Sequence, residues 1–391
     1  MQRAAQLSLA GHVDDAVDAW ALAVQAAPSD DLAQLRLQHA SSLLRADRPT
    51  GALQVLQQVD EHTLTQDQAV QRQLQLAGAL MDVGQPDLSE RVAQETLPQV
   101  EGSMVPLVLD GMAGARYVRG DVLGLQQIQA ALSRSKHMLA SWSAKYWGGR
   151  LARLQGRLDQ AQDTWAGLAE TLEHSDHPGA GVGQARVLSA LAELAVVQGN
   201  PQDALVLLDR VVTVWTARGR RGPLFAAEAL RAEAALQMGA TVLPSMLDAP
   251  VEFADERGLQ LLGARVRLVR AMSRAHARSD LAPVDFDAAL LLAATSGAPL
   301  LAGRVRLERA MAGYGAEGGP LRLQELDHCV DDLTGDRVWC TRAMLSRARF
   351  RLSAGDPAGA MREAGRVLAR LESMGLHADV EEARAILDAA G

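Results

Sequence analysis

"RAAQLSLAGHVDDAVDAWALAVQAAP", from Arg3 to Pro28, carries the spacing that decides the fold. Ala4 is followed seven residues later by Gly11 and five beyond that by Ala16, with Trp20, Ala23 and Pro28 completing the unit. Small residues at Ala4 and Ala16 let two short helices approach closely, and Trp20 fills the space between them. Gly11 permits a tight reversal, and Pro28 stops the second helix. The first-helix small residue recurs as Ala4, Ala40, Ala77, Ala113, Gly149, Ala192, Ala232, Ala271, Ala310 and Ala348. In seven of these ten units a glycine follows seven residues on: Gly11, Gly84, Gly120, Gly156, Gly199, Gly239 and Gly355. Twelve residues after the anchor stands Ala16, Ala52, Ser89, Leu125, Ala161, Ala204 or Ala360. One match means little, but an ordered series along nearly the whole chain is what a stack of helix pairs requires.

The pattern resembles the tetratricopeptide repeat (TPR), in the divergent form found in bacterial signalling and regulatory proteins. The resemblance implies an all-α α-solenoid of about ten antiparallel helix pairs, wound as a right-handed superhelix. First helices would line a concave groove and second helices would lie outside. The final stretch "HADVEEARAILDAA", His377 to Ala390, reads as the C-terminal capping helix that such a stack needs. Three units depart from the pattern. Ala232, Ala271 and Ala310 are followed twelve residues on by Pro244, Pro283 and Arg322, so their second helices are expected to start elsewhere.

Composition agrees with repeats of helices. At 391 residues the chain exceeds what one compact core normally supports. Ala, Leu, Gln and Arg dominate, all strong helix formers, and aromatics make up only 3 %. The formal net charge of −8 argues against a general nucleic-acid binder. No uncharged apolar run reaches the ~18 residues of a membrane span, and no apolar leader stands at the N-terminus. Cys329 and Cys340 are too few for a disulfide framework, so free thiols in a cytoplasmic protein are expected.

The anchor spacing is 36, 37, 36 and 36 up to Gly149, then 43 to Ala192, then 40, 39, 39 and 38. This predicts an N-terminal sub-array over 1–172, a junction loop over 173–183, and a C-terminal sub-array over 184–391 with a period of about 39. The junction, "EHSDHPGAGVGQA", offers His174, Asp176 and His177 as ligands and three closely spaced glycines. A phosphate-cradling loop needs a strand leading in and a helix following. Here a helix leads in, and no GK[ST] follows. Zinc sites normally close with about four ligands, which this segment cannot supply alone. It reads as a hinge. No nucleophile elbow, HExxH or P-loop occurs, and the Cys pair matches no zinc or redox spacing. Neither a cofactor nor a metal is expected, and the protein is read as non-catalytic.

Arginines carry the functional expectation. Arg186, Arg265, Arg304 and Arg342 each stand six residues before an anchor. Arg150 and Arg349 lie just after one, two helical turns on and so on the same face, with Arg153 a turn beyond Arg150. The repeated segments "RVRL" at Arg265 and Arg304, each soon followed by "RAM", support the register. Stacking would bring these arginines onto one concave strip that holds acidic or carboxylate groups of a protein or peptide through forked hydrogen bonds. The alternative is that they pair with acids on neighbouring helices, such as Glu193, Glu228 and Glu308. A second series, Arg231, Arg270, Arg309 and Arg347, directly precedes the anchors and is expected to form ion pairs between repeats. "ARGRRGP", Ala217 to Pro223, reads as a solvated basic loop. The other functional reading is the sensor module of a bacterial signalling or transcriptional regulator, with a closed pocket near Trp142, Tyr146 and Trp147. No direct nucleic acid and no membrane partner is expected.

Overall fold

The computed structural model describes residues 2–28, 31–313 and 319–391. Among them are 21 α-helices and no strand. The helices form ten successive pairs. The first five are α1 (Gln2–Leu9) with α2 (Val13–Gln25), α3 (Leu32–Arg45) with α4 (Pro49–Gln57), α5 (Gln66–Asp82) with α6 (Pro86–Thr96), α7 (Met104–Val118) with α8 (Val122–Arg134), and α9 (Met138–Leu154) with α10 (Leu158–Glu173). The second five are α11 (Ala180–Gln198) with α12 (Pro201–Ala217), α13 (Arg221–Gln237) with α14 (Asp248–Arg257), α15 (Gln260–His276) with α16 (Ala282–Thr295), α17 (Pro299–Met311) with α18 (Gly319–Asp332), and α19 (Arg337–Ser353) with α20 (Pro357–Ser373). The cap is α21 (His377–Ala390), which buries Val380, Ala383 and Ile386.

Every anchor of the ladder falls on an odd-numbered helix, and Ala40, Ala113, Ala192, Ala271 and Ala348 are completely buried. Their partners Ala16, Ala52, Leu125, Ala161, Ala204 and Ala360 are buried on the even helices. The turn slot explains itself through backbone geometry. Its seven glycines have φ between 69° and 81°, the left-handed region that side chains resist. Two units without glycine keep the same conformation: Asp47 (φ 55°) and Arg278 (φ 53°) occupy the slot after Ala40 and Ala271. In the unit of Ala310 the corresponding position, 317, lies outside the described residues.

The three departing units resolve differently. After Ala232, a 3₁₀ turn at Pro244–Leu247 delays α14 until Asp248. Pro283 sits in the first turn of α16, where its missing N–H costs nothing. Arg322 is an ordinary member of α18, its guanidinium 5.2 Å from the centre of the Phe350 ring.

The two halves of the stack are wound against each other. The turn within each of repeats one to five packs on the connection that follows the repeat five places later. A Cβ added to Gly219, after repeat six, would lie 2.7 Å from the Gly11 carbonyl oxygen. One added to Gly335, after repeat nine, would lie 2.6 Å from the Gly120 oxygen. Gly84 meets Ser296 and Gly156 meets Met374 in the same way. In repeat two Gly258, after repeat seven, faces Thr50, and Asp47 is held by the segment that enters repeat seven: its carboxylate accepts hydrogen bonds from the Gly222 N–H at 2.9 Å and from Arg220 at 3.2 Å. The stretch expected as a solvated loop, Ala217 to Pro223, is only partly so: Gly219, Arg220 and Gly222 pack into the seam, while Ala217, Arg218 and Arg221 stay exposed. Inside, α7 touches α17 and α9 touches α19.

The junction is also shorter than expected. α10 runs to Glu173 and α11 starts at Ala180, so Gly181 and Gly183 are helical and only residues 174–179 connect. Gly183 stands close to Leu172, which a larger residue would displace. Within the connection, His177 Nδ1 accepts from the Gly179 N–H at 3.0 Å, and its ring meets Trp142 edge-on at 5.4 Å. Leu168 and Leu172 before the connection share one core with Ala180, Val187, Leu194 and Trp339 after it. α11 is long and apolar enough to cross a membrane, yet it is mostly buried within the stack.

Candidate binding site on the concave face

Odd-numbered helices turn their inner faces toward the axis of the superhelix. At the centre a hollow of about 280 Å³ is walled by residues of α7, α9, α11, α13, α15, α17 and the start of α19. Half-buried Leu261, Leu300 and Leu301 supply its apolar wall, with buried Leu268 and Val269 behind them. Arg304 and Trp339 also line a second hollow toward the C-terminus, with Arg342, Arg349, Asp379 and Glu382. Tyr146 lines a third of about 170 Å³ toward the junction, with Trp142, Asp110 and Arg186. Its hydroxyl accepts a hydrogen bond from Arg150 of the central hollow at 3.2 Å. The three hollows form one row along the inside of the stack.

All seven arginines of the predicted strip lie on this row, and each has an internal carboxylate partner. Arg150 donates to Glu193 at 2.7 Å and lies against the rings of Tyr117, Tyr146 and Trp165. Arg265 stands 3.5 Å from the same Glu193 oxygen. Burial alone would raise the Glu193 pKa, but Arg150, Arg265 and Arg153 outweigh it and hold the carboxyl well below the usual range. Arg153 pairs with Asp336, and both are almost wholly buried. Arg304 pairs with Glu233 and, at 3.4 Å, with Glu308, while its guanidinium covers Trp339 at 3.9 Å. Arg342 donates to Asp379 and to the Val197 carbonyl, both at 2.8 Å, and lies 4.8 Å from the Trp339 ring centre. Arg186 reaches Asp110 at 3.3 Å and stacks on Tyr146; Arg349 meets Glu382 at 3.2 Å in solvent.

The alternative of pairing with acids on other helices describes the strip: Glu193 and Glu308 are among the partners, whereas Glu228 is not. The superhelix brings in acids from other repeats, so the strip has mixed charge. Pairing differs along it. The C-terminal hollow sets Arg304, Arg342 and Arg349 against Glu308, Asp379 and Glu382, which cancel. The central hollow sets Arg150, Arg153, Arg265 and Arg304 against Glu193, Glu233 and Asp336; Arg304 also reaches Glu308 of the C-terminal hollow, and the loosest pairing is that of Arg265, which shares Glu193 with Arg150.

Part of this was readable earlier. Glu193 and Glu233 directly follow the anchors Ala192 and Ala232, the same place that Arg150 and Arg349 hold in their own units. Asp336 and Asp110 gave no such signal, since they enter from elsewhere in the stack. The second arginine series behaves as expected: Arg231 meets Asp209 at 3.2 Å, Arg270 bridges Asp248 and Asp285, Arg309 bridges Asp287 and Glu325, and Arg347 bridges Asp327 and Glu363. Of the aromatic cluster, Trp142 and Tyr146 line a hollow, whereas Trp147 is buried and donates to Asp110 at 2.7 Å. Of the thiols, Cys329 is the fully buried one and burial pushes it up to about 12; Cys340 is half-buried.

No family model and no curated protein matches this sequence. Among solved structures, the chain is similar to Rap protein complexed with Competence and Sporulation Factor, with a TM-score of 0.51 at 14% identity over 82% of this chain and 97% of that one. It is also similar to the apo form of RapI (TM-score 0.41, 10% identity, 92% of this chain and 97% of that one) and to yeast Tom70 (TM-score 0.33, 12% identity, 98% and 94%). Only the first of these three superpositions exceeds 0.5, and at its identity it speaks for the fold alone. With ten stacked helix pairs and a cap, the chain is a TPR-like helical-repeat protein.

Proposed function

We propose that the chain is a non-catalytic scaffold or adaptor that holds a protein or peptide segment along the inside of its superhelix. One observation carries this: three contiguous hollows on the inner faces of the odd helices, each combining apolar walls with ion-paired polar groups. Concave sites of that make-up are where binding energy concentrates. The Rap protein of similar fold was solved with Competence and Sporulation Factor, which supports reading this fold as a partner-holding one. We place the protein in a bacterial signalling or regulatory setting, in the cytoplasm, with both cysteines as free thiols. The change of period over 173–183 is read as the elbow between the sub-arrays 1–172 and 184–391. Mixed charge along the strip favours a partner with alternating or single acidic groups over a long acidic run.

Site-specific photo-crosslinking tests the reading. A photoreactive residue at Leu107, exposed in the junction-side hollow, is compared with one at Val206, exposed on α12. A partner crosslinked from Leu107 and competed by its own isolated peptide is the expected result. Crosslinks from Val206 alone would place the partner outside and sink the proposal.

A further inference from the structure

We propose that the central hollow takes a small aliphatic monocarboxylate, which leaves the junction-side and C-terminal hollows of the row to the protein partner read above. Size comes first. A dry cavity of about 150 Å³ holds benzene, so the roughly 280 Å³ here accommodates a chain of about eight to ten carbons. The wall facing that space is mostly aliphatic: Leu261, Leu300 and Leu301 are each only half-buried, while Arg304 and Arg342 cover Trp339 and Arg150 lies against Tyr117.

Charge comes second. Arg304 holds two carboxylates, Glu233 and Glu308, whereas Arg150 and Arg265 share one, Glu193, and Arg265 has the looser hold on it. Arg150 holds Glu193 at 2.7 Å, while Arg265 shares the same oxygen at 3.5 Å and keeps 37 % of its side chain exposed. A single carboxylate beside Arg265 would complete the pairing without leaving a second buried charge, and charge-assisted bonds of this kind are the strong ones. A dianion would bring a second charge with no loosely paired arginine to meet it, and an amine would oppose Arg265. In the neighbouring C-terminal hollow Arg342 and Arg349 each have a carboxylate of their own.

The site also lies where the two turns of the superhelix meet, since Arg153 of α9 and Asp336 at the start of α19 form its wall. An occupant therefore contacts both turns and raises the stability of the whole stack, as any ligand selective for the folded state does.

The test is isothermal titration of the full chain with octanoate, with 1-octanol, octylamine and butyrate as the comparison probes. Expected is one octanoate per chain, bound at least about tenfold more tightly than 1-octanol, with weaker butyrate and no octylamine binding. Arg265→Gln removes the preference for octanoate over 1-octanol, and Leu261→Trp, which fills the half-buried wall, abolishes both. Because the acid-to-alcohol comparison uses the unaltered protein, a variant that misfolds leaves the test intact. Equal binding of octanoate and 1-octanol, or several octanoates per chain, overturns the proposal. A trileucine peptide that binds through its free C-terminus more tightly than octanoate also overturns it and assigns the hollow to the protein partner instead.

Discussion

Two hollows on the same concave strip share an arginine and a tryptophan and yet differ in kind. The C-terminal one is lined by Arg342 and Arg349, whose partners Asp379 and Glu382 come from the adjacent cap helix α21. The central one is closed by acids from distant repeats, Asp336 and Glu233 among them. Local pairing leaves charges balanced and partly solvated; pairing across the superhelix buries them. Removing one partner should therefore cost far more in the centre than at the end.

The largest effect is expected from Asp336→Ala. It strands Arg153 in a nearly dry site and removes the cap on α19, where the Asp336 carboxylate accepts from the Val338 and Trp339 N–H groups. A loss of about 3–5 kcal/mol in urea denaturation follows, with Asp336→Asn recovering part through the cap. Asp379→Ala should cost only about 1 kcal/mol, since Arg342 keeps the Val197 carbonyl and the face of Trp339. Equal losses would break the comparison between the two hollows.

Gly335→Ala ranks next. Its new Cβ would stand 2.6 Å from the Gly120 oxygen, and backbone cannot move aside cheaply. Loss of about 1–3 kcal/mol is expected. Gly239→Ala, with φ 73° and nothing within 4 Å, should lose only about 1 kcal/mol through its dihedral. Similar melting shifts for the two would mean that the seam carries no stability.

Arg349→Ala sharpens the solvated end. Both it and Glu382 are well exposed, so the change should stay below about 0.5 kcal/mol and vanish in high salt.

The smallest effect concerns Glu308. Burial raises its pKa, Glu233 adds to that, and Arg304 opposes it. A carboxyl whose folded pKa lies above its unfolded one binds its proton more tightly when folded, so it gains stability as pH falls from neutrality toward the ordinary glutamate range. Glu308→Gln should flatten that part of the stability–pH profile and leave neutral-pH stability unchanged or slightly higher. A steeper profile would contradict the direction.

Much of the fold was legible because its determinants are close in sequence. The spacing from Ala4 to Gly11 to Ala16 describes contacts within one helix pair, and the left-handed turn slot is filled even where glycine is replaced by Asp47 or Arg278. The second arginine series was legible for the same reason: Arg270 and Arg309 reach acids in the neighbouring second helices. The length of the junction was not. Glycines read as a loop proved helical, because α11 packs its start against Leu172.

Sequence alone determined the ten helix pairs, their register and which residues face inward, since each repeat sets these by contacts with itself and its neighbours. Tertiary structure decided which charges meet. Arg153 and Asp336 are 183 residues apart, and Arg186 and Asp110 are 76 apart. Arg153 and Asp336 meet because the small rotation between successive repeats sums to a full turn over five of them, and Arg186 and Asp110 because of the same rotation over two. No single repeat records that sum, and so which acids close the central hollow could be read only from the folded stack.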